Sequence, residues 1–509
     1  MKSIFIKSTI ICLSLLVMTS GCKKFLTQDV PGAFPEQDFY KTDADVSQAV
    51  IGIYDFMQAH YNANWASIYL VKTLLSDESN CGGSDAGDQP GYQTLDKYNF
   101  DATNDKVRDV WRMCYFTIYR ANKVINKTNA STTLRKRLVA EAKVLRAYNY
   151  FELVTLWGDV PLVLDDIAPS AYTSTKRSPK AAVFAQIEKD LTEAIAETNF
   201  PNKSSYSAAD KFRVSKGTAQ ALLGKTYLFQ QNQQRWADAA TQFEAVITSG
   251  QYSLAANVGA AFSRAAEFGP ESIFEISYTN GRSYDWGNFP WDYQPESNIH
   301  IQLMGPRSDY YTKAPADSLI GGWGFNLPKQ KLWNAFVAAG DVNRRRYIVM
   351  SQAELVAAGG NWSNPTAWGY EGYFQRKYGS YVTQTGGPIG ELNYGTNWRH
   401  IRYADVLLMA AEANYRAGNE SKARTYLNQV RQRSGLTDVT ATGSALFDAI
   451  VTERQLELAF EGFRFQDLVR WGKATQELGS LGFVGGKHEL LPIPDYDVRT
   501  GGLTQNPGY

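Results

Sequence analysis

Three glutamates near the C-terminus have the spacing that most directly suggests chemistry. Glu453, Glu457 and Glu461 recur every four residues, which places them on one face of a helix. Two such carboxylates could serve as the acid and the base of a glycoside hydrolase. Five nearby arginines offer a different role, since a guanidinium group satisfies a carboxylate well. They are Arg431, Arg433, Arg454, Arg464 and Arg470. We favour an ion-pair lattice between helices and keep a secreted helical glycoside hydrolase as the alternative.

Other stretches that resemble catalytic or metal-binding motifs do not have the residue spacing that those motifs require. Six residues separate Gly217 from Gly224, whereas a phosphate-binding loop has four. Ser84 lies in "GGSDAG", which is not the G-x-S-x-G pattern of a nucleophile elbow. The histidines lie far apart and lack zinc-ligand spacing, so we expect them in the core or in solvent. They are His60, His300, His400 and His488. We predict no catalytic residue and no cofactor, although a structural calcium ion stays open for the acidic, glycine-rich residues 76–92.

Aromatic residues set among glycine, asparagine and aspartate are the better candidates for binding. Sugar rings present C–H faces that stack on aromatic planes, while their hydroxyls need polar groups at the edge. Four such aromatics lie in the middle of the chain and three near the N-terminus. They are Trp286, Trp291, Tyr293 and Trp323, with Tyr61, Trp65 and Tyr92. Residues 76–92 would supply polar edges, or they form only a solvated turn.

Composition describes an ordinary globular chain. Of 509 residues, 44% are hydrophobic and 20% are charged, and length alone would suggest about three domains. The formal net charge of +1 gives no support for a nucleic-acid partner, which would require a basic face.

The N-terminus has the layout of an export signal. Lys2 and Lys7 precede an apolar run over residues 10–18, and small residues 19–21 close it before Cys22. This ending resembles a bacterial lipobox, in which the cysteine is lipidated. We predict removal of residues 1–21 and a lipid anchor on Cys22, with an ordinary cleavage site as the alternative. Two cysteines, Cys81 and Cys114, then remain besides the anchor, and they either pair or stay free.

Helical periodicity dominates residues 40–255 and 400–475. Apolar residues recur every three or four positions over residues 106–126, and the helix over 136–157 should end at Gly158. Residues 223–243 match the tetratricopeptide pattern L-G-x2-Y followed by A-x3-F, and residues 402–436 have the same design. We predict a mostly α fold, a right-handed stack of tetratricopeptide-like helical hairpins.

Residues 281–400 interrupt this scaffold. They hold seven of the twelve tryptophans and sixteen of the forty-one glycines. Glycine-rich backbone with many aromatics predicts long ordered loops, which commonly carry binding function. We expect an irregular ligand-binding insertion here.

The motifs taken together resemble the SusD/RagB family of Bacteroidetes outer-membrane nutrient-binding lipoproteins. The resemblance covers nearly the whole chain, from "CKKFLTQDVPGAF" through "WRMCYFTIYRANKVI" and "AEAKVLRAYNYFELVTLWGDVPLV". It is most specific near the end, at "RYADVLLMAAEANYRAG", "LNQVRQRSGL", "ERQLELAFEGFRFQDLVRWG", "LLPIP" and "LTQNPGY".

The resemblance implies a mature protein of residues 22–509, with four tetratricopeptide-like hairpins, no catalysis and a lipid anchor in the outer membrane, facing the cell exterior. It implies two partners: an oligosaccharide or polysaccharide, and a SusC-like TonB-dependent transporter that receives the captured glycan. Family ligand sites combine an aromatic arc with polar groups from two places. One is an early loop, here residues 76–92, and the other is the insertion. The positional predictions on that basis are Asp77, Tyr92, Trp286, Trp291, Tyr293 and Trp323. A repeat scaffold that binds only protein is the further alternative.

Overall fold

The computed structural model describes residues 39–60, 65–291 and 295–509. About 52% of the described residues are helical, and the fold is mostly α as predicted. The helices are α1 Asp43–Ala59, α2 Ile68–Leu74, α3 Pro90–Asp96, α4 Asp105–Lys127, α5 Thr133–Trp157, α6 Lys180–Ala196, α7 Lys216–Phe229, α8 Trp236–Thr248, α9 Val258–Ala261, α10 His300–Met304, α11 Gln330–Ala338, α12 Val342–Arg345, α13 Gln352–Ala357, α14 Tyr403–Arg416, α15 Glu420–Arg433, α16 Gly443–Leu458, α17 Arg464–Arg470, α18 Ala474–Leu478 and α19 Asp495–Arg499. No helix within these described ranges is long and apolar enough to cross a membrane.

The long helices pack in one continuous series. Helix α1 packs on α4, and each helix from α4 to α8 packs on the next. Helix α8 then packs on α14, which in turn contacts α15 and α16. The helical scaffold is therefore continuous in space, although the predicted insertion separates its two parts in sequence.

The tetratricopeptide pattern marks a close helix crossing. Gly224 on α7 faces Phe243 on α8, and a Cβ atom on Gly224 would lie 2.7 Å from the phenyl ring. A glycine is required there because a larger residue would push the two helices apart. The predicted helix over residues 106–126 is also present as α4, and α5 ends at Trp157, directly before Gly158.

Four small antiparallel sheets, each of two strands, organise the rest of the described chain. The strands are β1 Ser79–Asn80, β2 Ser272–Ile276, β3 Tyr311–Thr312, β4 Leu327–Pro328, β5 Val349–Ser351, β6 Asn361–Trp362, β7 Tyr373–Gln375 and β8 Trp398–Arg402. Strand β2 pairs with β8, with Ser272 opposite Arg402 and Ile276 opposite Trp398. The chain between them thus leaves and re-enters the scaffold at one point, which fixes both ends of the long loops.

The three glutamates form the predicted ion-pair lattice and are buried. Helix α16 ends at Leu458, so Glu461 lies in the turn that follows the helix. Arg431 contacts Glu453 at 3.0 Å, and Arg433 forms a short ion pair with Glu457, as expected from the neighbouring helix.

The other partners of the glutamates lie far away in sequence. Arg344 Nη1 lies 2.6 Å from Glu453 Oε1 and 3.0 Å from Glu457 Oε2. Arg402 Nη2 lies 3.0 Å from Glu457 Oε1 and 2.6 Å from Glu461 Oε1. Lys377 Nζ contacts Glu461 Oε1 at 2.8 Å.

Three predicted partners pair with other acids instead. Arg454 contacts Asp405, Arg464 contacts Asp77 and Arg470 contacts Glu412. The structure therefore confirms an ion-pair lattice, but three of the five predicted arginines pair with carboxylates other than the three glutamates.

We expect Arg402→Met to lower the free energy of unfolding by about 3–5 kcal/mol, because Glu457 and Glu461 would lose a buried partner. Chemical denaturation would measure this change. Lys422→Met is the matched control, since Lys422 forms an exposed ion pair with Glu244 at 2.8 Å and exposed pairs contribute little. Equal stability losses in the two variants would contradict the structural role of the lattice.

Candidate functional site

Four tryptophans converge on one surface, and we call them the tryptophan cluster: Trp65, Trp286, Trp291 and Trp323. The Trp65 ring centroid lies 5.2 Å from that of Trp323 and 5.9 Å from that of Trp291. Trp286 stacks on Trp291 at 5.8 Å. The structure therefore brings together three tryptophans that the sequence analysis placed in the insertion with one from the N-terminal region.

Two members of the tryptophan cluster are strongly exposed. Trp286 is 49% exposed and Trp291 is 42% exposed, while Trp65 and Trp323 are half-buried. A contiguous exposed aromatic surface on a folded protein usually marks a binding site. The half-buried pair supports the exposed pair from below.

Local hydrogen bonds fix the segment that carries the exposed tryptophans. The Asn393 side chain accepts from the Tyr284 N–H at 2.9 Å and donates to the Tyr284 carbonyl at 2.8 Å. Asp285 Oδ1 accepts from the backbone N–H groups of Gly287 and Asn288. These contacts hold a tight turn on which the indole rings keep one orientation.

Tyr92 is buried and contributes support instead of a ligand contact. Its hydroxyl donates to the Trp65 carbonyl at 2.7 Å and accepts from the Ser67 N–H at 2.9 Å. Burial raises the pKa of Tyr92 well above its usual value, so the hydroxyl keeps its proton. Because its side chain is fully covered, Tyr92 positions Trp65 and does not face solvent.

Asp77 is also buried, in an ion pair. Arg464 donates to both carboxylate oxygens of Asp77, at 2.8 and 3.0 Å, and Lys331 Nζ lies 2.7 Å away. Burial alone would raise the pKa of Asp77, but Arg464 and Lys331 outweigh it and hold the pKa at about 2. The carboxylate is covered and already paired, so we leave Asp77 out of the candidate site.

The early loop packs directly against the insertion. The Gly83 N–H donates to the Gly324 carbonyl at 3.1 Å, and a Cβ atom on Gly82 would lie 2.0 Å from that same oxygen. Glycine at residue 82 thus allows two backbones to touch. As a result, Asp88 Oδ2 comes within 3.7 Å of Arg307 Nη1, at the edge of the tryptophan cluster.

Asp85 and Asp88 both accept hydrogen bonds from within the early loop. Asp88 accepts from the backbone and the hydroxyl of Ser84, and Asp85 accepts from the Gly87 N–H. Across the part of the chain that the structure describes, no three histidine, cysteine or acidic side chains converge in a way that could hold a metal ion.

All four histidines are buried, as is expected of core residues. Burial lowers the pKa of His60 to about 4, and its ring contacts the Thr117 hydroxyl at 2.9 Å. Cys81 and Cys114 are buried free thiols, which answers the question that the sequence left open. Cys22, Tyr61 and Tyr293 lie outside the described residues.

Arg307 and Asp88 were not among the site residues predicted from the sequence. Arg307 Nη1 lies 3.5 Å from the Trp323 carbonyl, and its Nε lies 2.8 Å from Asp309. Both residues are polar and lie close to the aromatic surface, but their chain positions are more than two hundred residues apart. Nothing in local sequence spacing could have joined them.

Comparisons with known proteins agree with one another over most of the chain. A model described as the SusD family matches residues 340–488, and one described as "Starch-binding associating with outer membrane" matches residues 13–228. A SusD-like protein of Formosa agariphila is 24% identical, with 97% of each chain covered.

Solved structures show the same fold. A "Laminarin binding SusD-like protein" is 33% identical with a TM-score of 0.82, covering 92% of this chain and all of the other. "Surface glycan-binding protein A" from Bacteroides fluxus is 27% identical with a TM-score of 0.80 and the same coverage. The family models, the relatives and the fold agree: the chain belongs to the SusD family.

Proposed function

We propose that this protein binds a glycan at the tryptophan cluster and delivers it for uptake at the cell surface. The observation that carries the proposal is the exposed Trp286–Trp291 pair, supported from below by Trp65 and Trp323. Relatives named for laminarin and surface glycan binding support it. Tyr293 stays a proposed member of this site because of its position two residues after Trp291.

The chemistry around the cluster suits a sugar. Indole faces stack against C–H groups, and the favourable contact needs no charge on the ligand. Arg307, Asp309 and Asp88 lie at one edge and offer a donor and acceptors for hydroxyl groups.

The ring planes favour a curved chain. The planes of Trp286 and Trp291 differ by 10°, whereas the Trp65 plane is rotated 42° from Trp291 and 43° from Trp323. A glycan that stacks on Trp291 and on the part of Trp65 open to solvent must turn between the two rings. A β-1,3-linked glucan such as laminarin curves in this way, whereas a β-1,4-linked chain is flat, so we propose a β-1,3-glucan as the ligand.

The same proposal holds that binding occurs without cleavage. A hydrolase needs two accessible carboxyl groups, one of them able to protonate the leaving group. Burial would raise the pKa of Glu457, but Arg433, Arg402 and Arg344 outweigh it and hold the pKa well below its usual value. Since Glu453, Glu457 and Glu461 are buried and paired, they are unsuited to that acid and base role.

We further propose that a lipid on Cys22 tethers the protein to the outer membrane beside a SusC-like TonB-dependent transporter. The lipobox-like residues before Cys22 and the family description "associating with outer membrane" support the tether. Each buried methylene contributes ~0.8 kcal/mol, so several chains on one residue hold where one would not.

Trp291→Ala should weaken laminarihexaose binding about tenfold or more, because it removes an exposed stacking surface at the centre of the cluster. Isothermal titration would measure the dissociation constant, with a reducing-sugar assay to detect cleavage. Tyr496→Ala is the control, since Tyr496 is 61% exposed and has no ring contact with the cluster.

Unchanged affinity in Trp291→Ala would contradict the proposed site. Release of reducing ends by the wild-type protein would instead favour the hydrolase, and absent binding by a folded protein would favour a scaffold that binds only protein.

The tether and the transporter can be tested in one experiment on affinity-tagged protein expressed in its own host. Wild-type protein should incorporate labelled fatty acid, fractionate with outer membranes and co-purify with a TonB-dependent barrel. Cys22→Ser should lose the label and the membrane fractionation, and Cys81→Ser is the matched control because Cys81 is a buried thiol. A label that persists in Cys22→Ser would contradict the anchor.

A further inference from the structure

A third exposed tryptophan lies outside the tryptophan cluster. Trp368 is 40% exposed and lies in the loop between β6 and β7. Single exposed aromatics are common on folded proteins, so a role for Trp368 must be argued from its contacts. The sequence analysis did not select Trp368.

The Trp368 ring is held in place. Its Nε1–H donates to Gln93 Oε1 at 3.0 Å. The next residue, Gly369, accepts from the Asn80 side chain at 3.1 Å, and Asn80 also donates to Glu371 Oε1 at 2.6 Å. The indole is therefore ordered before any ligand arrives, which lowers the entropy cost of stacking on it.

A continuous line of contacts joins Trp368 to the tryptophan cluster. Gln93, which accepts from Trp368, donates to the Asp88 carbonyl at 3.1 Å. The Asp88 carboxylate lies 3.7 Å from Arg307, and Arg307 lies 3.5 Å from the Trp323 carbonyl. Trp323 packs on Trp65 at 5.2 Å.

Gln93 is buried, but the other two polar residues along this line are partly open to solvent. The side chains of Arg307 and Asp88 are 20% and 30% exposed. The Arg307 guanidinium and the Asp88 carboxylate thus lie between two aromatic surfaces. The aromatic surfaces suit sugar rings, and the polar groups between them suit sugar hydroxyls.

We propose that Trp368 is a second stacking platform for the same glycan, with Arg307 and Asp88 as the hydroxyl-binding groups between the two platforms. This inference rests on the proposed glycan-binding function and extends its site. Its consequence is a preference for long ligands. A short oligosaccharide occupies one platform, whereas a longer chain engages both and gains affinity because the second contact is intramolecular.

The test compares laminarin with laminaritriose by isothermal titration, using the full mature chain. Trp368→Ala should raise the dissociation constant for laminarin about tenfold and leave that for laminaritriose within about twofold. Trp368→Phe should keep most of the laminarin affinity, because it retains a flat ring and loses only the N–H that bonds Gln93. Tyr496→Ala should change neither value, and thermal unfolding should show that each variant is folded.

Four results would overturn the inference. Unchanged laminarin affinity in Trp368→Ala, together with weakened binding in Trp291→Ala, would reject the second platform and leave the proposed function standing. Equal losses for both ligands, or a loss in Trp368→Phe as large as in Trp368→Ala, would assign Trp368 a structural role through Gln93. Wild-type protein that binds neither ligand would reject the proposed glucan-binding function and this inference with it.

Discussion

The contact on which the rest of the structure depends is the buried pairing of Arg402 with Glu457 and Glu461. Arg402 ends strand β8, where the chain returns to the helical scaffold. Glu457 lies in the last turn of α16, and Glu461 lies in the turn that follows the helix. Lys377 and Arg344, both from the chain between β2 and β8, join the same carboxylates. Burying so many charges carries a large desolvation cost, so the network is weak evidence for high stability. The network instead selects one packing of the long loops on the scaffold, because any other packing would leave a buried charge without a partner.

That constraint explains how irregular loops can present a fixed surface. Loops gain order only when contacts offset the conformational entropy that they lose. Here both ends are paired through β2 and β8, and the ionic network holds the middle. Asn393 and Gln93 then fix the two tryptophan-bearing segments with side-chain hydrogen bonds to the backbone and to an indole N–H. The aromatic rings are exposed yet ordered, a combination that a flexible loop could not maintain.

The helical scaffold follows closely from the sequence because its determinants are local. The apolar period of residues 106–126 reappears as α4, and the L-G-x2-Y motif reappears as the tight approach of Gly224 to Phe243. The ion-pair lattice was predictable only in part. Arg431 and Arg433 lie on the adjacent helix and were found, whereas Arg344 and Arg402 lie more than fifty residues from the glutamates that they pair with. Their roles depend on the path of the chain, which periodicity does not describe.

The candidate site could be predicted from the sequence only where the residues around an aromatic side chain indicate whether that side chain is exposed. Trp286, Trp291 and Trp323 lie among glycine and polar residues, and they meet in one cluster. The same reasoning failed for Asp77 and Tyr92, whose surroundings in the sequence look equally polar. Asp77 is covered because Arg464, nearly four hundred residues away, folds over it, and Tyr92 turns inward to support Trp65. A glycine-rich acidic stretch can therefore be a solvent-exposed loop or the wall against which the exposed loop is built. Residues 76–92 contain both: residues 84–90 are exposed or half-buried, and the residues on either side, Asp77 and Tyr92 among them, are buried.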